Sequence, residues 1–193
     1  MTVDHLLMRG RALEWATLGW NVAGVAVLAA AAYTARSVAL AAFGLDSLIE
    51  IGASAVVLWE LSGVGEQRQR TALRLIGVAF AALAVYLAIQ STVVLVAGYH
   101  PRHSRIGITW TAATAAVMFA LASGKRRTGV ALDNPVLRAE GRVTAVDAIL
   151  ATAVLAGLAA NAVAGWWWAD PLCGYVLVYY ATREAWINVS KPR

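Results

Sequence analysis

The chain has 193 residues, of which 60% are hydrophobic and only 14% charged, and its mean hydropathy is +0.64. A soluble domain of this length needs a far more charged surface, so the composition excludes that class and points to one membrane domain. The net charge of +5 and pI near 9.8 need no nucleic-acid partner, because anionic lipid headgroups and topology account for a basic balance.

Spans of about 20 apolar residues, enough to cross about 30 Å of hydrocarbon, can be read in chain order. The segment Met1 to Arg11 precedes an apolar run too long for a signal-peptide core and shows no small-residue cleavage site, so it is read as part of the mature protein. The first span covers 12–33 and carries one amide, Asn21, with two open readings: a ligand completing a metal shell, or a hydrogen bond between helices. The second covers 38–61 and holds two acids, Asp46 and Glu50, four residues apart and therefore on one helix face. No Lys or Arg on that helix neutralises them. Two such carboxylates repel, so at least one holds a proton unless a divalent ion lies between them, which suits a site that exchanges metal for protons.

The third and fourth spans cover 71–97 and 106–123. The turn between them carries His100 and His103, read as a solvated outer loop more readily than as a metal collector, and the stretch from Gly124 to Arg138 is read as an inner loop without histidines. The fifth span covers 139–166 and brings the third acid, Asp147, with Glu140 seven residues earlier on the same face and the Thr144 hydroxyl between them. Arg142 is placed to pair with Glu140 at the inner interface, which leaves Glu140 either structural or lining the inner entrance. Gly157, Asn161 and Gly165 allow close helix packing. Asp170 before Pro171 reads as the N-cap of a sixth span over 171–188. Cys173 in that span, the single cysteine, excludes an intramolecular disulfide and reads as a packing residue.

Six spans put both termini on one side. Twelve Lys and Arg fall on that side (9, 11, 68, 70, 74, 125–127, 138, 183, 191 and 193), against Arg36, Arg102 and Arg105 on the other. The positive-inside rule then makes both termini cytoplasmic, in an all-α, multi-pass protein of the cell (inner) membrane. Trp166, Trp167 and Trp168 mark the outer interface, and Trp59 and Trp186 the inner one.

At these residues the sequence resembles the cation diffusion facilitator family. The second span from Ser37 through Asp46 and Glu50 to Ser54 is similar to the family's second transmembrane helix, where an Asp or His is followed four residues later by an Asp. Asp147, the run Gly165-Trp166-Trp167-Trp168-Ala169-Asp170-Pro171 and a last helix ending in Arg183-Glu184-Ala185-Trp186 extend the likeness over nearly the whole chain. The resemblance implies a metal site of Asp46, Glu50 and Asp147, efflux of a divalent cation coupled to proton antiport, and a homodimer. Three departures stand out. Val143 replaces the usual His four residues before the fifth-helix acid, Glu50 replaces an Asp, and no soluble metal-binding domain of the kind that usually follows the sixth helix is expected. An oxygen-rich site suits harder cations than zinc, so Zn, Co, Ni, Fe, Mn and Mg all stay open. The competing expectation is a non-transporting assembly or regulatory protein whose degenerate site only pairs helices. No Ser-His, metalloprotease or phosphate-cradling motif occurs in any span, so no enzymatic activity is expected, and no resident cofactor.

Overall fold

In the computed structural model the described residues are 2–35, 38–63, 66–98 and 104–190, with the side chains at 38, 39, 42, 169–171, 173, 174, 176, 177, 184 and 188–190 left aside. The expectations for Arg36, Arg102, His100, His103 and the Cys173 side chain lie outside them. The described residues form six helices: α1 Val3–Ala35, α2 Val38–Leu61, α3 Glu66–Ala97, α4 Arg105–Ala131, α5 Pro135–Ala164 and α6 Ala169–Ser190. No strand occurs among the described residues. Among the described residues four helices, α1, α3, α4 and α5, are long and apolar enough to cross a membrane.

Local chemistry sets several of these ends. Ser104 accepts a hydrogen bond from the Gly107 backbone N–H at 3.0 Å and so caps α4. Asn134 caps α5 by accepting from the Leu137 N–H at 2.8 Å, with Pro135 in the first turn where its missing N–H costs nothing. Gly165 ends α5 in the left-handed region at φ 70°, which a Cβ would strain. Helix α6 begins at Ala169, so Asp170 is inside its first turn rather than at its N-cap.

The clearest departure from expectation is the segment from Gly124 to Arg138. Helix α4 runs on to Ala131 and only residues 132–134 separate it from α5. Its charges suggested a loop, and Arg126, Arg127 and Asp133 are exposed there, but Lys125, Thr128 and Gly129 turn inward. Two glycines make this seam close: a Cβ at Gly129 would lie 2.9 Å from the Arg138 backbone nitrogen, and one at Gly141 3.1 Å from that of Arg126. Because the obstacle at Gly129 is backbone, Gly129→Ala is expected to cost about 1–3 kcal/mol through forced separation of α4 and α5. A lowered thermal unfolding midpoint in detergent is the readout, and an unchanged midpoint would refute this account of the seam.

Four helices close a ring through the contacts α1 to α2, α2 to α5, α5 to α4 and α4 to α1. The remaining pair, α3 and α6, packs together and lies against α2 and α5. Apolar side chains including Leu28, Leu40, Phe43, Val57, Ile76, Phe80 and Leu137 fill the interior between polar groups. Val22, Val78, Val85, Ile89, Val96, Phe119 and Val163 point outward and are exposed, as expected where lipid is the solvent.

Candidate cation site

The inside of the ring is lined by polar groups at helical spacing. Helix α1 turns Gly10, Glu14, Thr17, Asn21 and Gly24 inward, spaced by three and four residues. Helix α2 contributes Asp46, Ser47, Glu50 and Ser54, helix α4 Thr111, Thr114, Lys125 and Thr128, and helix α5 Glu140, Thr144 and Asp147, all buried. Five of these are acids, Glu14, Asp46, Glu50, Glu140 and Asp147, and one is a base, Lys125. Fully ionised, the set would carry four uncompensated negative charges inside a medium that penalises each, so protons or a cation must neutralise most of them.

The groups form a column with distinct levels. At the end of the bundle where α1 begins and α2 ends, a cavity of about 470 Å³ is lined by Leu7, Arg11, Glu60, Ser62, Glu66 and Asn134, among others. The Asn134 amide donates to both oxygens of Glu60, at 3.3 and 3.2 Å, and the Arg11 guanidinium donates to the Leu61 carbonyl at 2.7 Å. Deeper lies Lys125, whose ammonium is 2.9 Å from Glu14 Oε2, 3.1 Å from Glu140 Oε1 and 2.9 Å from Thr144 Oγ1. All three of these charged side chains are 0% exposed. The Ser54 hydroxyl also donates to Glu140 Oε1, at 3.4 Å.

One level further in, the Thr144 hydroxyl accepts from Lys125 and donates to Glu50 Oε1 at 2.7 Å. It therefore links the lysine level to the second-helix acids. Asp46, one turn beyond Glu50, and Asp147 of α5 interact electrostatically with each other. Apart from this contact with each other, neither oxygen of Asp147 nor Asp46 Oδ2 accepts a hydrogen bond from a described residue. The Tyr86 hydroxyl of α3 is likewise without a hydrogen bond and lies within electrostatic reach of Asp46. Towards the opposite end of the bundle Trp20 stacks on Trp110 with ring centroids 5.0 Å apart and donates through Nε1 to Thr114 at 3.2 Å, joining α1 to α4.

The six residues singled out in the sequence are all buried, on three helices of one ring. Their roles differ from one another. Asp46, Glu50 and Asp147 lie on the inner faces of α2 and α5, while Glu140 takes Lys125 as an ion-pair partner. The Asn21 amide donates to the Thr17 carbonyl in its own helix at 3.1 Å. Among the described residues no three His, Cys, Asp or Glu side chains are gathered closely enough to hold a metal ion as they stand.

Sequence reasoning passed over Glu14 and Lys125. Glu14 precedes Thr17 and Asn21 by three and seven residues, and that polar stripe was its signal. Lys125 lies in a Lys-Arg-Arg run that reads as surface, but it shares a face with Thr111, Thr114 and Thr128 at spacings of 14, 11 and three residues. Compared with known proteins, the chain matches no family model and no curated sequence.

Proposed function

We propose that the chain carries a divalent metal cation across the bilayer in exchange for protons, with Asp46, Glu50 and Asp147 as the ion site. The observation that carries this reading is the excess of acid at the Asp46 and Asp147 level: two buried carboxyl groups that face each other, with no ammonium or guanidinium bonded to them. Such groups are expensive in a membrane unless they serve an ion pathway. Asp46 and Asp147 come from two helices, so a cation can draw their carboxylates together with that of Glu50. Thr144 then gives up its hydrogen bond to Glu50 while its oxygen still accepts from Lys125. Protons occupy the same oxygens when the metal leaves, which makes transport an exchange and favours the metal at alkaline pH. An all-oxygen set suits Mn, Mg, Co or Fe(II) better than zinc.

The test is proteoliposome flux across a panel of divalent ions, with an internal pH dye. Uptake of at least one ion with counter-movement of protons supports the proposal; a protein that is folded and inserted but moves none of them refutes it. The second reading, a non-transporting assembly or regulatory subunit, is favoured by the ungathered ligands and by Glu140 being taken by Lys125. It takes over on that null result.

The proposal includes six crossings with both termini cytoplasmic, in the cell membrane. Burial of Lys125 removes one charge from the inner count of twelve, and the bias remains eleven against three. Reporter tags after Arg193 and after Asp133 are expected on the cytoplasmic side and one near His100 outside; a periplasmic tag at Arg193 would overturn the topology. We also read the assembly as a homodimer joined through its helices, for which a mass of two chains in lipid is the expected result and monomers alone the contrary one.

A further inference from the structure

The acid pair formed by Glu14 and Glu140 is not needed by the site proposed above, yet it already binds a cation. That cation is the chain's own Lys125. Its ammonium donates to Glu140 Oε1 at 3.1 Å and Thr144 Oγ1 at 2.9 Å, both on α5, and is ion-paired with Glu14 Oε2 on α1 at 2.9 Å. The second oxygens of both acids, Glu14 Oε1 and Glu140 Oε2, are buried and accept no hydrogen bond from a described residue. Ser54 adds a hydroxyl from α2. Four helices therefore converge on one point with an oxygen-only shell, of the kind that divalent hard cations use.

We infer that Glu14, Glu140 and Thr144 are a second cation site inward of Asp46, Glu50 and Asp147, and that the tethered Lys125 ammonium fills it as a plug. Glu140 and Asp147 are seven residues apart on α5, a rise of about 10 Å along the helix. The plug thus lies between the Asp46 level and the cavity that opens at the inner end beside Glu60 and Asn134. An ion passing between the two meets a fixed positive charge whose removal from its acids is required first. Thr144 couples the two levels, because its oxygen serves Lys125 and its hydrogen serves Glu50. The plugging role rests on the transport reading; the second site does not.

The test counts Mn(II) bound by the full chain in detergent, from the spin signal of free Mn(II). Lys125→Ala opens space for an ion and frees two carboxylates, so it is expected to bind one Mn(II) more per chain than the parent. The triple variant Glu14→Gln, Glu140→Gln, Lys125→Ala returns to the parental number, and so does Lys125→Met, whose side chain refills the space. Mn(II) is also expected to raise the unfolding midpoint of Lys125→Ala more than that of Lys125→Met. A folded Lys125→Ala protein that binds no more than the parent overturns the inference. Should that variant fail to fold, Lys125→Gln, whose amide still donates to one carboxylate, carries the same two outcomes. A parent that binds none beside a Lys125→Ala protein that binds one leaves the second site standing and removes the transport reading. One ion bound by each does the reverse.

Discussion

Replacing Lys125 by methionine is expected to destabilise the protein by about 3–5 kcal/mol, the cost of stranding buried charges by deleting their partner. The side chain's volume is kept, so the loss is one of charge and hydrogen bonds. Its ammonium touches groups on α1 and α5 from α4, and two edges of the ring lose a common anchor at once. Glu14 and Glu140 are then two acids at 0% exposure with no counter-ion. Protons can substitute, so the deficit should shrink as the pH is lowered and grow as it is raised. The measurement is the unfolding midpoint in detergent across pH, for Lys125→Met and the parent together. A deficit of the same size at every pH would mean that packing, and not charge, is what Lys125 supplies.

The second large effect is on flux. Asp46→Asn, Glu50→Gln and Asp147→Asn are each expected to lower divalent transport by roughly a hundredfold or more while leaving the chain folded in the membrane. The magnitude follows from charge: at an effective dielectric of about 20, one unit charge at about 4 Å is worth about 4 kcal/mol, and a divalent ion doubles it. The neutral variants are nearly isosteric and remove a repelling charge, so the fold should tolerate them. Glu140→Gln should behave differently. It breaks an ion pair with Lys125 rather than removing a ligand, so its first effect is on stability. Initial rates of Mn(II) uptake, normalised to inserted protein, separate the cases. Parental rates in all three ligand variants would show that the acids only hold helices together.

How far the sequence could be read depended on the kind of signal. Apolar runs gave the helices: α2 has the predicted bounds of 38–61, and the other five begin or end beyond the apolar windows, as α1 does by starting at Val3. Those windows stop at charged residues, but a helix needs only that charges face water or a partner, and α4 continues through Lys125, Arg126 and Arg127 on that basis. Asp46, Glu50 and Asp147 were legible because isolated acids within apolar runs have few cheap structural explanations. Lys125 was not, because a lysine beside two arginines is ordinarily a solvated headgroup contact, and one residue of helical phase decides between that and the interior. Glu140 illustrates the cost of missing it. Arg142, two residues away, was the cation in view, whereas the partner comes from 15 residues earlier on another helix.

Proton release on metal binding tests most directly the proposed exchange of protons for a divalent ion at the buried acids of α2 and α5. Purified protein in weak buffer, with a pH dye, is titrated with Mn(II) beside the Asp46→Asn, Glu50→Gln, Asp147→Asn triple variant. The parent is expected to acidify the solution in proportion to the metal bound, and the triple variant to release no protons. Equal release from both proteins, or metal binding by the parent without any, would contradict the claim.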